Sequence, residues 1–545
     1  MAAARSGMEF AGVSAAAAPV RRDTAAWRTG FILLAAVLFS VYLINPPNVP
    51  DLAAQTARAE AAKDGAYLWW TGWFGGLTLP SYSVFSPFVM AELGVGLSAA
   101  IAGIAACAAA PILFEGTRRP RAGAAIFGMG VFLNVLGGRV TFALGFAAAV
   151  IATAFLRRQR GWWAGGGAVV ACLLSPLAGL WLGMIAVTVA IVDPVRRRAA
   201  LGISASLVVV ALGLTVVFQN AGPMAFPWWH AVLALVAIAT ALVVCPDRAI
   251  RIGACFFGLA VIAFALVPTA VGTNMMRLVW LTAGPAVVAT GQLALPHRAL
   301  RRAGIAVLGV GALVWPSVDL SLELAKASSP AASPAYYQSL VDQVQQRTAS
   351  AGAAAQGQRL EIVDPASHWS AAYVAPTVPI ARGWDRQADR SANPLFYDGT
   401  LTPDTYRAWL HELAVRWVAL PSEGSLDYAA KGEADLVRSG LPYLKQVWAD
   451  QSWELVRVVD DAPLVRGAQV VEIDASELTF YAPAAGPVHL QIRWSPMLAL
   501  TGNSADDGCV RERGEWTSID VDKPGTYTLA SKLALPTGAD RTDCG

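Results

Sequence analysis

Over residues 27–318 the chain alternates long apolar runs with compact arginine clusters. These are Arg118-Arg119, Arg157-Arg158, Arg196-Arg197-Arg198, Arg248 with Arg251, and Arg298 with Arg301-Arg302. Few folds accommodate such a pattern. Each stretch between clusters holds enough apolar sequence for two membrane crossings of about 20 residues or somewhat fewer. Turn or polar signals lie midway: Gly137-Gly138-Arg139, Ser175-Pro176, residues 220–229, and Thr273-Asn274. Placing every cluster on the cytoplasmic side satisfies the bias of basic loops toward that face. Only Arg58, Lys63, Arg139 and Arg277 are then left on the outer side of the bundle. The expected fold is an α-helical polytopic membrane bundle of about 11 transmembrane helices, N-terminus in and C-terminus out, followed by exterior domains.

Composition agrees. Charged residues make up 14% of the 545, against about 25% in soluble domains. The shortage is confined to the first 318 residues or so; beyond them charges are dispersed. The net charge of +3 averages basic inner loops with a mildly acidic C-terminal half, so it gives no argument for nucleic acid. Residues 1–26 are Ala-rich, carry Arg5, Arg21 and Arg22, and read as a cytoplasmic tail. The apolar stretch 31–44 has a basic flank but no small-x-small cleavage site after it, so 27–45 reads as a retained first span. The hairpins 122–156 and 162–192 are short for two crossings each. Short helices are tolerated where they line a cavity, and tight turns in a thin bundle explain them equally.

The bundle is assigned to 27–320 and an Ala/Ser/Pro-rich linker to 321–335. Residues 336–466 alternate helical and strand patterns and read as an extracytoplasmic α/β domain, with Thr402-Pro403-Asp404 capping one helix. Residues 467–545 carry short strands separated by Pro/Gly turns, the pattern of a β-sandwich. Cys107, Cys172, Cys245 and Cys255 fall in or beside apolar spans as small buried hydrophobes. Cys509 and Cys544 lie in the polar C-terminal region, where a non-cytoplasmic location makes them a disulfide pair. Neither a Cys-x-x-Cys pair nor a histidine cluster suggests zinc.

The leading chemical centre is Asp51, just after the first span. It opens an amphipathic juxtamembrane helix with Gln55, Arg58 and Glu60, which leads into Trp69, Trp70 and Trp73 at an expected headgroup boundary. A carboxylate beside an apolar cavity can take a proton from a hydroxyl. The plainer reading is a solvated cap on the 52–62 helix. Arg139 and Arg277, the latter close to Asn274, sit at outer span ends where positive charge is disfavoured. They suit a lipid-borne phosphate, because a guanidinium pairs bidentately with phosphate oxygens; snorkelling to anionic headgroups is the simpler alternative. Tyr82, in the uncharged outer loop 77–87, offers a ring for sugar contact or for interfacial anchoring. The substrate-binding set is thus Arg139, Arg277, Asn274, Gln55, Trp73 and Tyr82. The polar stretch 382–399, which mixes arginines, carboxylates, amides and aromatics, suits ligand contact; docking of the exterior domain onto the bundle is the favoured reading. His368 and His411 read as packed or solvated.

Asp51-Leu52-Ala53-Ala54-Gln55, Trp73-Phe74-Gly75-Gly76 and Tyr82-Ser83-Val84-Phe85-Ser86-Pro87 together resemble the first exterior loop of bacterial glycosyltransferase-C-type membrane proteins. Within them the chain looks most like the group of 6-pyruvoyl-tetrahydropterin-synthase-related and YfhO-like membrane proteins. Gly137-Gly138-Arg139-Val140-Thr141-Phe142, Gly272-Thr273-Asn274-Met275-Met276-Arg277-Leu278 and the segment 409–420 resemble recurring segments there. The resemblance reaches roughly to Val465. It implies sugar transfer from a polyprenyl-phosphate donor to a cell-envelope glycan or lipid acceptor, on the outer face of the plasma membrane. The implied base is an acidic residue of the first exterior loop, which maps onto Asp51. Many members carry paired acidic residues there, whereas Asp51 has no adjacent partner; this leaves the use of a divalent metal open. A non-catalytic envelope-assembly or glycan-binding membrane protein is the alternative. A transporter has little support, since no ionisable residue is expected mid-span.

Overall fold

The computed structural model describes residues 23–78, 80, 83–218, 222–352 and 355–532. Helix α1 (Asp23–Ile44) is followed at one end of the bundle by α2 (Pro50–Lys63) and α3 (Ser86–Leu93). Then come α4 (Val95–Leu113), α5 (Pro120–Leu136), α6 (Val140–Arg157), α7 (Gly161–Leu174), α8 (Pro176–Val192) and α9 (Arg197–Val217). The bundle is completed by α10 (Trp228–Val244), α11 (Arg248–Leu266), α12 (Asn274–Thr290) and α13 (Arg298–Ala327). Among the described residues, α1, α4, α6, α9, α11 and α13 are long and apolar enough to cross a membrane, and α5, α7, α8 and α10 are shorter apolar helices. Large aliphatics such as Leu33, Val37, Val209, Leu212 and Val243 are exposed on the outside of the bundle. Its interior is rich in alanine. Small residues let helices approach closely where the surrounding solvent is itself apolar: a Cβ on Gly103 would fall 2.2 Å from the Phe39 ring.

The break between α7 and α8 is local chemistry. Ser175 is extended and Pro176 has no N–H to continue the helix. The Leu174 carbonyl freed there accepts from the hydroxyls of Ser83 (2.7 Å) and Ser86 (2.8 Å). The break in the 162–192 hairpin is therefore plugged by the α3 entry, while Ile185, Thr188 and Val189 farther along α8 line an apolar cavity of about 200 Å³ with α10, α11 and α12.

The linker expected at 321–335 is mostly helix. Helix α13 runs 30 residues to Ala327, about 45 Å at 1.5 Å per residue, and a single 3-10 turn (Pro330–Ala332) follows. The Ala/Ser/Pro composition begins only at Ser328. Before it, Leu320, Leu322 and Leu324 are good helix formers, and Lys326 pairs with Glu323 at 3.0 Å.

Beyond α14 (Ala335–Ala351) the chain forms β1 (Arg359–Ile362), α15 (Ser370–Tyr373), α16 (Arg386–Ala392), α17 (Pro403–Glu412), β2 (Val415–Pro421), α18 (Lys431–Arg438), β3 (Leu444–Ala449) and β4 (Trp453–Val458). The sheet order is β1-β2-β4-β3, with β1 and β2 parallel and the other pairs antiparallel. The parallel pair needs a crossover, and α15, α16 and α17 lie within it. Strands β5 (Val465–Arg466), β6 (Gln469–Ile473), β7 (Glu477–Ala482), β8 (Gly486–Arg493), β9 (Leu498–Thr501), β10 (Gly508–Arg513), β11 (Trp516–Val521) and β12 (Gly525–Ser531) form two four-stranded sheets. Their orders are β10-β11-β8-β5 and β6-β7-β12-β9. Leu478, Phe480, Leu490, Ile519 and Leu529 fill the space between them. Cys509 is disulfide-bonded and the four bundle cysteines are free thiols; Cys544 lies outside the described residues.

The aromatic loop after α2 departs from its expected place at the lipid boundary. Trp69, Trp70 and Trp73 are 1%, 2% and 0% exposed. Trp69 belongs to the sandwich core. The Trp73 Nε1 donates to the Ala371 carbonyl (3.2 Å), Thr71 N to Ala475 O (3.0 Å), Ile380 N to Gly72 O (3.0 Å), and Arg493 Nε to Phe74 O (2.8 Å). The loop is thus a hub gripped by both the α/β domain and the sandwich. Large rings gain more from complete burial in protein than from a half-solvated headgroup layer, and Gly383 makes room: a Cβ there would lie 2.4 Å from the Trp73 ring.

Candidate functional site

Three helical stripes converge beneath the α/β domain. On α2, Asp51, Ala54, Gln55 and Arg58 share one face. On α12 the stripe is Asn274, Arg277 and Trp280; on α13 it is Trp315, Asp319, Glu323 and Lys326. These spacings of three and four place side chains in line along a helix. With Arg139, Phe142 and His230 they line a cavity of about 390 Å³, roofed by His368, Trp384, Arg386, Gln387, Asp427 and Tyr428. Pro50 at the first position of α2 presets the helical φ, and the helix N-terminus favours the Asp51 carboxylate one residue later.

Arg139 organises the floor. Gly138 has a φ of +74°, and a Cβ on it would lie 2.7 Å from the Leu52 backbone nitrogen. Only glycine lets the α5–α6 turn touch α2 so closely, which puts the next residue against Asp51. The Arg139 Nε donates to Asp51 Oδ2 at 3.3 Å, and its Nη2 donates to Asp319. Gln55 accepts from the Thr141 hydroxyl. Asn274 Nδ2 donates to the Met224 sulfur at 3.3 Å, and the Arg277 guanidinium stands 5.3 Å over the Phe142 ring. The Asp51 side chain is 40% exposed, that of Arg139 only 11%.

Asp51, Gln55, Arg139, Asn274 and Arg277 therefore face one cavity. Trp73 does not: it is buried in the hub, with the Arg58 guanidinium 5.9 Å above its ring. Tyr82 lies outside the described residues. The carboxylate that Asp51 lacks as a sequence neighbour is supplied by Asp319, from α13, which continues into the expected linker. Its signal was the Trp315, Asp319, Glu323 spacing on a continuing apolar helix. Asp51 and Asp319 converge on one guanidinium, so a cation already stands between them and the pair does not suit a divalent metal. Among the described residues no group of three His, Cys, Asp or Glu is placed to hold one.

The roof is equally ordered. His368, read as a lone packed or solvated residue, lies flat on Trp384 with ring centroids 3.4 Å apart and 6° between planes. Its Nδ1 meets Asp364, and its Nε2 is 3.6 Å from Asp427. The backbone of His368 is left-handed, at φ 57°, a conformation uncommon outside glycine. Arg386 donates two hydrogen bonds to Asp427, at 2.8 and 2.7 Å. Burial alone would raise the Asp427 carboxyl, but the hydrogen bonds and charge of Arg386 outweigh it and hold the group below the usual carboxylate range. Arg58 of α2 pairs with Asp385, both side chains 4% exposed. Asp385 also caps α16, so one ion pair ties floor to roof.

Behind the roof, Arg382 is shared by Asp389 (2.7 Å), Glu433 (3.3 Å) and Glu361 (3.8 Å). One cation cannot neutralise three buried carboxylates. Asp389 takes most of it and is lowered despite burial. Burial, with the neighbouring carboxylate, pushes Glu361 well up; burial pushes Glu433 up to about 7. A carboxyl raised in the folded state favours folding in its neutral form. That contribution is whole below the ordinary glutamate range and is lost as pH rises through the raised value. The melting temperature of wild type is therefore expected to fall between pH 6 and pH 8.5. Glu361→Gln, which keeps the shape and removes the charge, should raise it at pH 8 by roughly 4 °C and flatten the fall. Identical pH profiles for the two proteins would refute this.

A family model described as "Domain of unknown function (DUF8823)" matches residues 466–544, the sandwich region. No curated protein matches the chain. Among solved structures, the single-particle cryo-EM structure of the arabinofuranosyltransferase AftD from Mycobacteria is similar at a TM-score of 0.45 and 14% identity. The match covers 86% of this chain and 41% of that one, so the chain spans less than half the length of the arabinofuranosyltransferase.

Proposed function

We propose that the chain is a membrane glycosyltransferase that moves a sugar from a polyprenyl-phosphate carrier to an envelope glycan or lipid acceptor on the outer face of the plasma membrane. The observation that carries this is the cavity itself. It lies between a membrane bundle and an exterior domain, and it brings carboxylates and guanidinium groups together on one floor. In the proposed step the acceptor hydroxyl oxygen bonds to the anomeric carbon. The bond from that carbon to the carrier phosphate oxygen breaks, its electron pair leaving with the phosphate. The hydroxyl proton passes to Asp51, the base. Arg139 and Arg277 offset the charge that grows on the phosphate, and Gln55 and Asn274 orient the ligands. The resemblance of the first exterior loop to glycosyltransferase-C proteins supports the same assignment.

The membrane topology goes with this proposal: about 11 crossings, N-terminus in, exterior domains out. Its support is the gathering of basic residues at the bundle end away from the cavity. There Arg28 and Arg158 both pair with Glu115, Arg196 donates to the Arg157 carbonyl, and Arg119 donates to the Val288 and Gly291 carbonyls.

The alternative, a non-catalytic glycan-binding protein, is favoured by a second cleft of about 350 Å³ between the sandwich and the aromatic loop, lined by Phe74, Trp494, Glu512 and Glu515. The two readings separate by turnover. Purified chain in lipid nanodiscs would be incubated with a panel of polyprenyl-phosphate sugars and neutral oligosaccharide acceptors, and products read by mass spectrometry. One acceptor lengthened by a single sugar is expected. Folded protein that lengthens none of them would leave the glycan-binding reading in place.

A further inference from the structure

Two polar atoms of cavity-lining residues have no partner among the described residues. Trp280 Nε1 and His230 Nδ1 are both buried and make no hydrogen bond, and both residues line the cavity. Folded proteins leave few buried polar atoms in this state, and each asks for an explanation. Other donors on α12 are engaged: Asn274 donates to the Met224 sulfur, and the Thr282 hydroxyl donates to the Leu278 carbonyl at 2.7 Å.

The surroundings narrow what could meet the two nitrogens. Trp280 lies one turn beyond Arg277 on α12, with the Arg139 guanidinium 6.0 Å from its ring. His230 stands edge-on to Trp315 (5.0 Å between centroids, 80°), and Trp229 packs on the same indole at 5.3 Å. Asp319 is one turn after Trp315. The wall thus presents aromatic surfaces, two unmatched ring nitrogens and a nearby carboxylate. A hydrocarbon tail would leave both nitrogens unsatisfied. A bare phosphate could accept from the indole but is repelled by the negative faces of aromatic rings. A sugar ring has what both features need: slightly positive C–H groups for the ring faces, and hydroxyls that donate and accept. An indole N–H can only donate, whereas an imidazole Nδ1 donates or accepts according to tautomer.

We propose that Trp280, His230 and Trp315 form the subsite for the transferred sugar ring, with Trp280 donating to one ring hydroxyl, His230 Nδ1 pairing with a second, and Trp315 supplying the apolar platform. The proposal rests on the glycosyltransferase reading and names the group that selects the sugar. A site built to hydrogen-bond a hydroxyl rejects the analogue lacking it, because the protein group is then left buried and unpaired.

The test uses the full chain in nanodiscs carrying Asp51→Asn, so that binding is read without turnover. Probes are methyl glycosides of common hexoses and pentoses and their monodeoxy analogues, followed by saturation-transfer NMR. At least one parent glycoside should bind, and one deoxy position should weaken it about tenfold. Trp280→Phe keeps an aromatic face, on a smaller ring, and deletes the N–H. It should weaken the parent about tenfold and erase the preference over that one deoxy analogue. His230→Phe should do the same at a different position. Failure of every glycoside to bind overturns the proposal, as does a deoxy profile that neither variant changes. Binding with the expected profile, in a protein whose transfer Asp51→Asn leaves intact, would remove the proposed role of Asp51 and keep the sugar subsite.

Discussion

Membranes carrying Asp51→Asn are expected to lose sugar transfer by about 10²–10⁴-fold, the range that a positioned proton acceptor contributes. The substitution is isosteric and sits on a side chain that is 40% exposed, so the fold has little reason to respond. Arg139 retains its second carboxylate, Asp319, and stays compensated. The loss should therefore appear in kcat with an unchanged melting temperature. An interaction present equally with substrate and transition state would instead raise KM alone. Transfer within threefold of wild type would leave Asp51 as a structural carboxylate: the N-cap of α2 is Val49, and Asp51, inside the first turn without a capping hydrogen bond, would serve only the helix N-terminus and Arg139.

The largest structural effect is expected at Arg58. Its guanidinium pairs with Asp385 where both side chains are 4% exposed. Removing one partner of a buried pair strands the other charge, at a cost of about 3–5 kcal/mol. Arg58→Gln should lower the melting temperature sharply and speed amide exchange in α2 and α16, the two helices the pair joins. It should also lower transfer, because the roof residues Trp384, Arg386 and Gln387 flank Asp385 in the chain. Replacing both partners, Arg58→Met with Asp385→Leu, should recover much of the stability, since neither charge is then left alone. A single variant that melts with wild type would show that water reaches the pair and that the domains are held together by the aromatic hub instead.

These two residues also show what could be read along the chain. Asp51 was legible because its signals are local: a proline, a span end and an amphipathic spacing within a few residues. Arg139 was legible for the same reason, as a cation after two glycines at a disfavoured membrane face. The Arg58–Asp385 pair was not, because its members are 327 residues apart. Neither was Asp319, 180 residues from Arg139; the sequence soon after it turns Ser/Ala/Pro-rich, which masks the helix that continues to Ala327. The tryptophans were misplaced because an apolar ring buries equally well in a headgroup layer and in a protein core, and hydropathy does not tell the two apart.

By itself, the sequence determined a helical bundle with arginine clusters between its apolar runs, an α/β layer, a strand-rich end, and one acidic group at a span mouth. Each of these follows from short-range period, charge and turn chemistry. Tertiary structure alone decided which polar groups meet: that α13 lends its carboxylates, that the α/β domain closes over α2, and that two buried ring nitrogens of cavity-lining residues are left without a partner among the described residues. Polar contacts act over a few ångströms and are made by whichever elements pack together, so they exist only once packing has chosen the neighbours.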